Sequence, residues 1–288
     1  MGIKRFVKDM LKRMMLNPVA DYLAREINAQ LLVPNAPEME PVLCDFNHYL
    51  HELRSNELAR MPKGASIFLS AGCSGTWYFD WIKKEYGKLD KHIGIEFYMP
   101  KPDDLPAYVE WISDTVGAMK GVADESVDMV FSGQNVEHLQ FDDLVGFIFE
   151  SNRVLKKGGW LIVDSPNRLV TSPLKWLHPE HIAEYTVGEM EEMLSTAGFQ
   201  TEHKKGLLLV RESADQPPWS IGMADCPWKD RNGWLRRAIN AYHRPDDSFV
   251  WWLEARKQSE AVDKGRVRTV CKRIFDCARQ ERVEREQY

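Results

Sequence analysis

Three groups of residues in this sequence are of types and spacings that could do chemistry. The first is the glycine turn Gly72-Cys73-Ser74-Gly75, which follows Ile67-Phe68-Leu69 and the small residues Ser70 and Ala71. A short apolar run that breaks into small residues reads as a buried strand turning tightly into a helix. Glycines there let the backbone approach a ligand, and the first free N–H groups of the helix face it. The second group is a carboxylate at a strand end: His92-Ile93-Gly94-Ile95-Glu96 reads as a second buried strand, and Glu96 stands 24 positions after Gly72. That is near the roughly 20-residue offset at which a doubly wound fold sets an acid against the two hydroxyls of a ribose. The G-x-x-G alone equally fits a tight turn that binds nothing, and the acid shifts the balance to a nucleoside cofactor. The third group is the pair Glu137-His138 with His178 and His181 further on. Carboxylate beside imidazole suits acid–base work or a metal.

The elements that must position these groups alternate strand and helix from Ser66 to Lys257, which calls for a parallel sheet covered on both faces. Further strands are expected over Val109–Ile112, Val127–Phe131, Trp160–Val163 and Lys204–Val210, with a seventh over Phe249–Lys257. Tyr98–Pro106 holds three prolines and is no regular helix. Glu137-His138 opens a helix whose apolar face is Phe141, Leu144, Val145, Ile148 and Phe149. Thr186 and Glu189 form a capping box for a later helix. Ligands gather beyond the strand ends of an open parallel sheet. Ser132, Gly133, Gln134 and Asn135 therefore border the site, as does the polar run Asp164-Ser165-Pro166-Asn167-Arg168.

From about Ser66 to Phe199 the chain resembles the class I S-adenosylmethionine-dependent methyltransferases, of the type 11-like family. The motifs that carry the resemblance come in the family's order: A-G-C-S-G, G-I-E, S-D-T, S-V-D-M-V-F-S-G-Q-N-V-E-H-L, R-V-L-K-K-G-G-W-L-I-V-D-S-P-N-R and H-I-A-E-Y-T-V-G-E-M-E-E-M-L-S-T-A-G-F. The resemblance implies a doubly wound, mostly parallel α/β sheet of seven strands, the last antiparallel, with S-adenosylmethionine as cofactor. It assigns cofactor binding to Ser70, Ala71, Gly72, Cys73, Gly75, Glu96, Asp114, Thr115, Ser132, Gly133 and Asn135, with Asp114 accepting from the adenine amino group. A helix N-cap is the other role open to Asp114. Relatives carry a histidine at the position of His181, and the candidate catalytic residues are His181, as a general base, and His178. A loop-anchoring hydrogen bond is the alternative for His181. No metal is expected: methyltransferases of small-RNA ends place a metal on a Glu-His pair here but have a further Glu where this chain has Gln134. One departure stands out. The family has an acid at the position of Ser70 that helps hold the methionine end of the cofactor.

The sequence of 288 residues, 44% hydrophobic and 11% aromatic, is that of a globular protein. A net charge of −5 argues against a surface built for nucleic acid. No run approaches the roughly 20 apolar residues that span a bilayer, and no signal peptide is apparent, so a cytoplasmic location is expected. Five cysteines at no metal-ligand spacing fit a reducing compartment. Cys73 could be activated at a helix N-terminus or be merely a small residue that fits the turn.

Three parts are expected: a helical extension over residues 1–62, a methyltransferase domain over 63–258 with an insertion at 211–248, and a C-terminal helix over 259–288 with Val267, Val270, Ile274 and Cys277 on one stripe. The basic amphipathic start, residues 1–16, can lie on the inner face of a membrane, cap the core or pack on a second subunit. The insertion holds Trp219, Met223, Trp228, Trp234, Tyr242 and His243, which suit a saccharide face or a small satellite core. The expected activity is methylation of an oxygen on a small or saccharide-containing acceptor, by resemblance to enzymes encoded with surface-polysaccharide synthesis. The alternatives are a non-catalytic cofactor-binding or scaffold protein, suggested by Ser70, and a nicotinamide-dependent dehydrogenase, against which the later motifs argue.

Overall fold

The computed structural model describes residues 40–211, 237–259 and 262–286. The amphipathic start and the insertion residues Trp219, Met223, Trp228 and Trp234 lie outside them.

The described chain runs α1 (Glu40–Arg60), β1 (Ile67–Ala71), α2 (Thr76–Tyr86), β2 (Lys91–Ile95), β3 (Val109–Ile112), β4 (Val127–Gly133), α3 (Phe141–Val154), β5 (Leu155–Pro166), the short α4 (Arg168–Thr171), α5 (Val187–Thr196), β6 (Phe199–Leu209), β7 (Ser248–Lys257) and α6 (Lys264–Glu286). The strands form one sheet in the order β3-β2-β1-β4-β5-β7-β6. Only β7 runs against the others, pairing antiparallel with both β5 and β6. The chain reverses its direction of winding between β3-β2-β1 and β4-β5. The C-terminal ends of β1 and β4 therefore lie side by side at the switch point, the position at which open sheets of this kind bind ligands.

Period-two alternation sorts the strand residues to two cores. Phe68, Met129, Phe131 and Ile162 face α1 and α2, where Leu58, Phe79 and Ile82 meet them. Leu69, Val130, Leu161 and Val163 face the other way, onto α3, α5 and α6. Burial on both faces explains why the strands read as continuous apolar runs. Helix α1 is tied down by charge: Lys205 of β6 lies buried between Glu57 of α1 at 2.9 Å and Glu254 of β7 at 2.5 Å. The described end of the insertion joins this group, with the Lys205 ammonium 5.7 Å from the ring centre of Tyr242.

Several expectations shift. Glu137 and His138 sit in a separate 3-10 turn, Val136–His138, and α3 starts only at Phe141. Leu139 takes an extended conformation that breaks the helix there. Strands β5 and β6 begin earlier than expected, at Leu155 and Phe199. Their added residues pair with neighbouring strands, Leu155 with β4 and Phe199 with the end of β7. On α6 the buried stripe is Val267, Cys271, Ile274 and Ala278, while Cys277 is exposed. Steps of four, three and four keep to the 3.6-residue period, and Cys277 falls one position off it.

Candidate active site

The glycine turn after β1 forms as its residues require. Gly72 has φ 84°, and a side chain there would begin 2.6 Å from Asn135 Oδ1. That contact brings the β1 turn against the β4 turn and leaves no room for any residue but glycine. Gly75, with φ 125°, leads into α2. Cys73 is buried under the turn, its Sγ 3.7 Å from the Ile95 carbonyl. Burial, helped by Glu96, pushes its thiol well above the usual range. The packing role is therefore the one Cys73 fills.

Ser70 is fully buried, and its Oγ lies 2.8 Å from His92 Nε2 on β2. Burial holds that imidazole neutral, with its pKa lowered to about 3. Beside Ser70, the Tyr78 hydroxyl is buried without a well-formed hydrogen bond and within electrostatic reach of Arg54 and Asp164. Glu96 accepts the amides of Tyr98 and Met99 on Oε1 at 2.7 and 3.0 Å, which fixes its carboxylate at the end of β2. Asp114 accepts the Thr115 amide on Oδ1 and the Lys120 amide on Oδ2, at 2.8 and 2.9 Å, and so caps the turn after β3. Thr115 Oγ1 donates to Asp143. At the end of β4, Asn135 Nδ2 donates to Ser132 Oγ at 3.2 Å. A glycine cradle that a single Cβ would fill, with an under-satisfied buried hydroxyl beside it, fits the S-adenosylmethionine implied by the resemblance.

A second cluster lies across β4 and β5. The loop after α4 brings His178 and His181 over the Val136–His138 turn, and the Ile182 and Ala183 amides strap it there by donating to the Glu137 carbonyl at 2.7 and 3.2 Å. His181 is buried and places Nδ1 2.7 Å from Glu184 Oε1. His178 stacks on His181 with ring centroids 4.4 Å apart. The His178 Nδ1 accepts the Glu180 amide at 3.3 Å. His138 stands edge-on to His181 at 4.8 Å, with Nδ1 donating to the Glu180 carbonyl at 3.0 Å. Glu137 is fully buried. Ser165 Oγ donates to its Oε2 at 3.0 Å, while Oε1 has no hydrogen-bond partner among the described residues and lies 4.0 Å from His138 Nε2. Burial pushes the Glu137 carboxyl up to about 8. Glu137, His138 and His181 offer ligand atoms within 4.8 Å of one another, a donor set of the kind that can hold a divalent cation.

Glu184, which sequence reasoning missed, completes this cluster. Its Oε2 accepts from Thr171 Oγ1 and Arg285. Burial pulls its carboxyl up, but His181 and Arg285 outweigh that and leave it below the usual range, hence ionised. Burial in turn lowers the His181 pKa despite Glu184. The spacing H-x-x-E, three positions from His181 to Glu184, was the available signal.

Arg54 was missed as well. It comes from α1 and makes a two-point ion pair with Asp164 at the end of β5, Nε to Oδ2 at 2.6 Å and Nη2 to Oδ1 at 3.2 Å. Gln134 Nε2 joins at 3.1 Å. The rest of the expected rim turns away. Asn167 ties β5 to the segment before β7 through the carbonyls of Pro245, Asp246 and Ser248, and Arg168 pairs with Glu189 and Glu281. Of that rim, Asp164 and Ser165 reach the site.

Comparison with known proteins points the same way. A family model described as a methyltransferase domain matches residues 69–163. The chain is 32% identical over 207 residues to a probable S-adenosylmethionine-dependent methyltransferase of Mycolicibacterium smegmatis, spanning 66% of this chain and 78% of that protein. It is 40% identical over 78 residues to a probable S-adenosylmethionine-dependent methyltransferase of Mycobacterium tuberculosis, spanning 26% of this chain and 28% of the relative. Among solved structures it is similar to a chain of the complex between the Haloferax volcanii Trm112 methyltransferase activator and a methyltransferase. The TM-score there is 0.50 and the identity 14%, over 75% of this chain and 97% of the other. That likeness is of fold alone. Through the aligned extent of the first relative, the matched domain and the glycine turn with its acid, this chain belongs to the S-adenosylmethionine-dependent methyltransferases.

Proposed function

We propose that the protein methylates a hydroxyl oxygen of a small or saccharide-containing acceptor, in the synthesis of a surface polysaccharide. Bound S-adenosylmethionine supplies an already activated methyl group, so the protein's work is to orient the acceptor, exclude water and take one proton. In this reading the crevice from Gly72 to Glu96 serves the cofactor, and the proton falls to the histidine cluster.

The observation that carries this reading is the bond from His181 to Glu184 at 2.7 Å. An ionised carboxylate can only accept, so the imidazole proton sits on Nδ1 and the lone pair is on Nε2. A buried imidazole held in that tautomer is suited to take a hydroxyl proton. Two further parts of the reading rest on sequence pattern: a cytoplasmic protein, with residues 1–16 touching the inner face of the membrane. Among the described residues, no helix is long and apolar enough to cross one.

The test is turnover with a panel of hydroxylated acceptors, saccharides first, alongside calorimetric binding of S-adenosylhomocysteine. His181→Ala is expected to lower kcat by roughly 10²- to 10⁴-fold, with cofactor affinity unchanged. Turnover should also survive removal of metals by a chelator. Unchanged turnover in the variant would remove the base from the mechanism. A second reading, a cofactor-binding scaffold, is favoured by the engagement of Ser70 with His92; it predicts binding without turnover on any acceptor.

A further inference from the structure

We infer that Arg54 and Asp164 bind the amino-acid end of the cofactor, the guanidinium taking its carboxylate and Asp164 its ammonium group. This rests on S-adenosylmethionine as the cofactor and names the residues that hold one end of it.

The charges are placed for this. Arg54 Nη2 and Asp164 Oδ1 both lie against Gly133, where any Cβ would collide with them. Gly133 is the last residue of β4, two positions before the Asn135 that packs on the Gly72 turn. Among the described residues, the buried arginines Arg168, Arg282 and Arg285 are engaged away from the β4 turn. Arg168 pairs with Glu189 and Glu281, Arg285 with Glu184 and the Trp176 carbonyl, and Arg282 donates to the His178 carbonyl. On β1 the position facing an ammonium group is the uncharged Ser70, with its Oγ at His92.

A second observation points to a ligand at the same place. Tyr78 is 4% exposed, and its hydroxyl, set among Ser70, Arg54 and Asp164, has no well-formed hydrogen bond. Leaving such a group poorly paired in the interior costs free energy that a bound polar group would recover. Arg54 itself is supported by the ring of Trp81, 5.1 Å away. Gln134, which donates to Asp164, holds a left-handed backbone with φ 53°, a conformation unusual outside glycine.

The span also fits. Glu96 follows β2, and β1 and β4 lie between β2 and the β5 that carries Asp164. Three strand spacings of about 4.8 Å make roughly 14 Å from strand to strand. The Glu96 and Arg54 side chains reach into that span from either side, and the extended bonded path from ribose to methionine carboxyl, on the order of 10 Å, covers the rest. A zwitterion that enters between Arg54 and Asp164 gives each an opposite charge in exchange for the one it leaves.

The experiment measures binding of three probes to the full chain and to Arg54→Met, Arg54→Lys and Asp164→Asn. The probes are S-adenosylhomocysteine, decarboxylated S-adenosylmethionine and methylthioadenosine, which keeps the adenosine and lacks the amino-acid end. Arg54→Met should weaken S-adenosylhomocysteine by about 10- to 100-fold, the size of a lost charge-assisted bond. It should leave methylthioadenosine and the decarboxylated probe unchanged. Asp164→Asn should weaken S-adenosylhomocysteine and the decarboxylated probe together. Arg54→Lys, which keeps the charge and loses the two-point geometry, should fall between. Equal weakening of all three probes by Arg54→Met, with Arg54→Lys the same, would make Arg54 a structural residue and overturn the proposal, as would unchanged binding. Methylthioadenosine binding reports separately on the adenosine site. Its failure in the unaltered protein, together with S-adenosylhomocysteine, would overturn the cofactor assignment as well.

Discussion

Ser70 and His92 face each other across β1 and β2 in a buried, uncharged pair. Because burial lowers the His92 pKa to about 3 from the ordinary 6.5, the unfolded chain binds the extra proton between those values. Stability from this residue is therefore complete above about pH 6.5 and is lost as pH falls towards 3. The slope is about 1.4 kcal/mol per pH unit. Denaturant unfolding across that range should show the slope in the unaltered protein and lose it in His92→Gln. An unaltered slope in the variant would assign the acid sensitivity to other groups.

At the scale of elements, α6 does more than cover the sheet. Its apolar stripe packs on α3 and α5, and its last two turns reach the histidine loop. Arg282 Nη2 donates to the His178 carbonyl at 2.7 Å, and Arg285 Nη1 to the Trp176 carbonyl at 3.0 Å and to Glu184. The loop that presents His181 is thus fixed by a helix 104 residues later in sequence. Displacement of a reacting group by about an ångström can cost on the order of 10²-fold in rate. The double variant Arg282→Met, Arg285→Met should accordingly lose roughly 10- to 100-fold in kcat with S-adenosylhomocysteine affinity unchanged. A parallel loss of affinity would show that α6 supports the whole domain rather than the loop.

For the whole molecule, the cofactor site proposed above draws on β1, β2 and β4, and by the further inference on α1 and β5. Binding should therefore stabilise the fold as a unit. At a free ligand concentration of about 100 times Kd, S-adenosylhomocysteine should add about 2.7 kcal/mol to the unfolding free energy. Amide exchange should slow over residues 70–75 and 132–135 and stay unchanged near Lys88 and Asp90, at the opposite end of the sheet where Asp90 meets Ser66. Uniform slowing everywhere would indicate global stabilisation without contact at the crevice.

Local pattern determined much of this protein. Apolar runs marked the strands, Gly72 and Gly75 marked the tight turn from β1 into α2, and Thr186 with Glu189 marked a capping box that forms in full. Each of these signals spans only a few residues, where spacing dictates geometry. Tertiary structure alone decided the partners of the charged groups. Arg54 meets Asp164 across 110 positions and Arg285 meets Glu184 across 101. It also decided that Asp114 caps a turn, that Ser70 faces His92 and that Arg168 points to α5 and α6 rather than the crevice. Side-chain charge fixes what a residue can bind, but which opposite charge is within reach depends on how distant elements pack, and no short-range period encodes that.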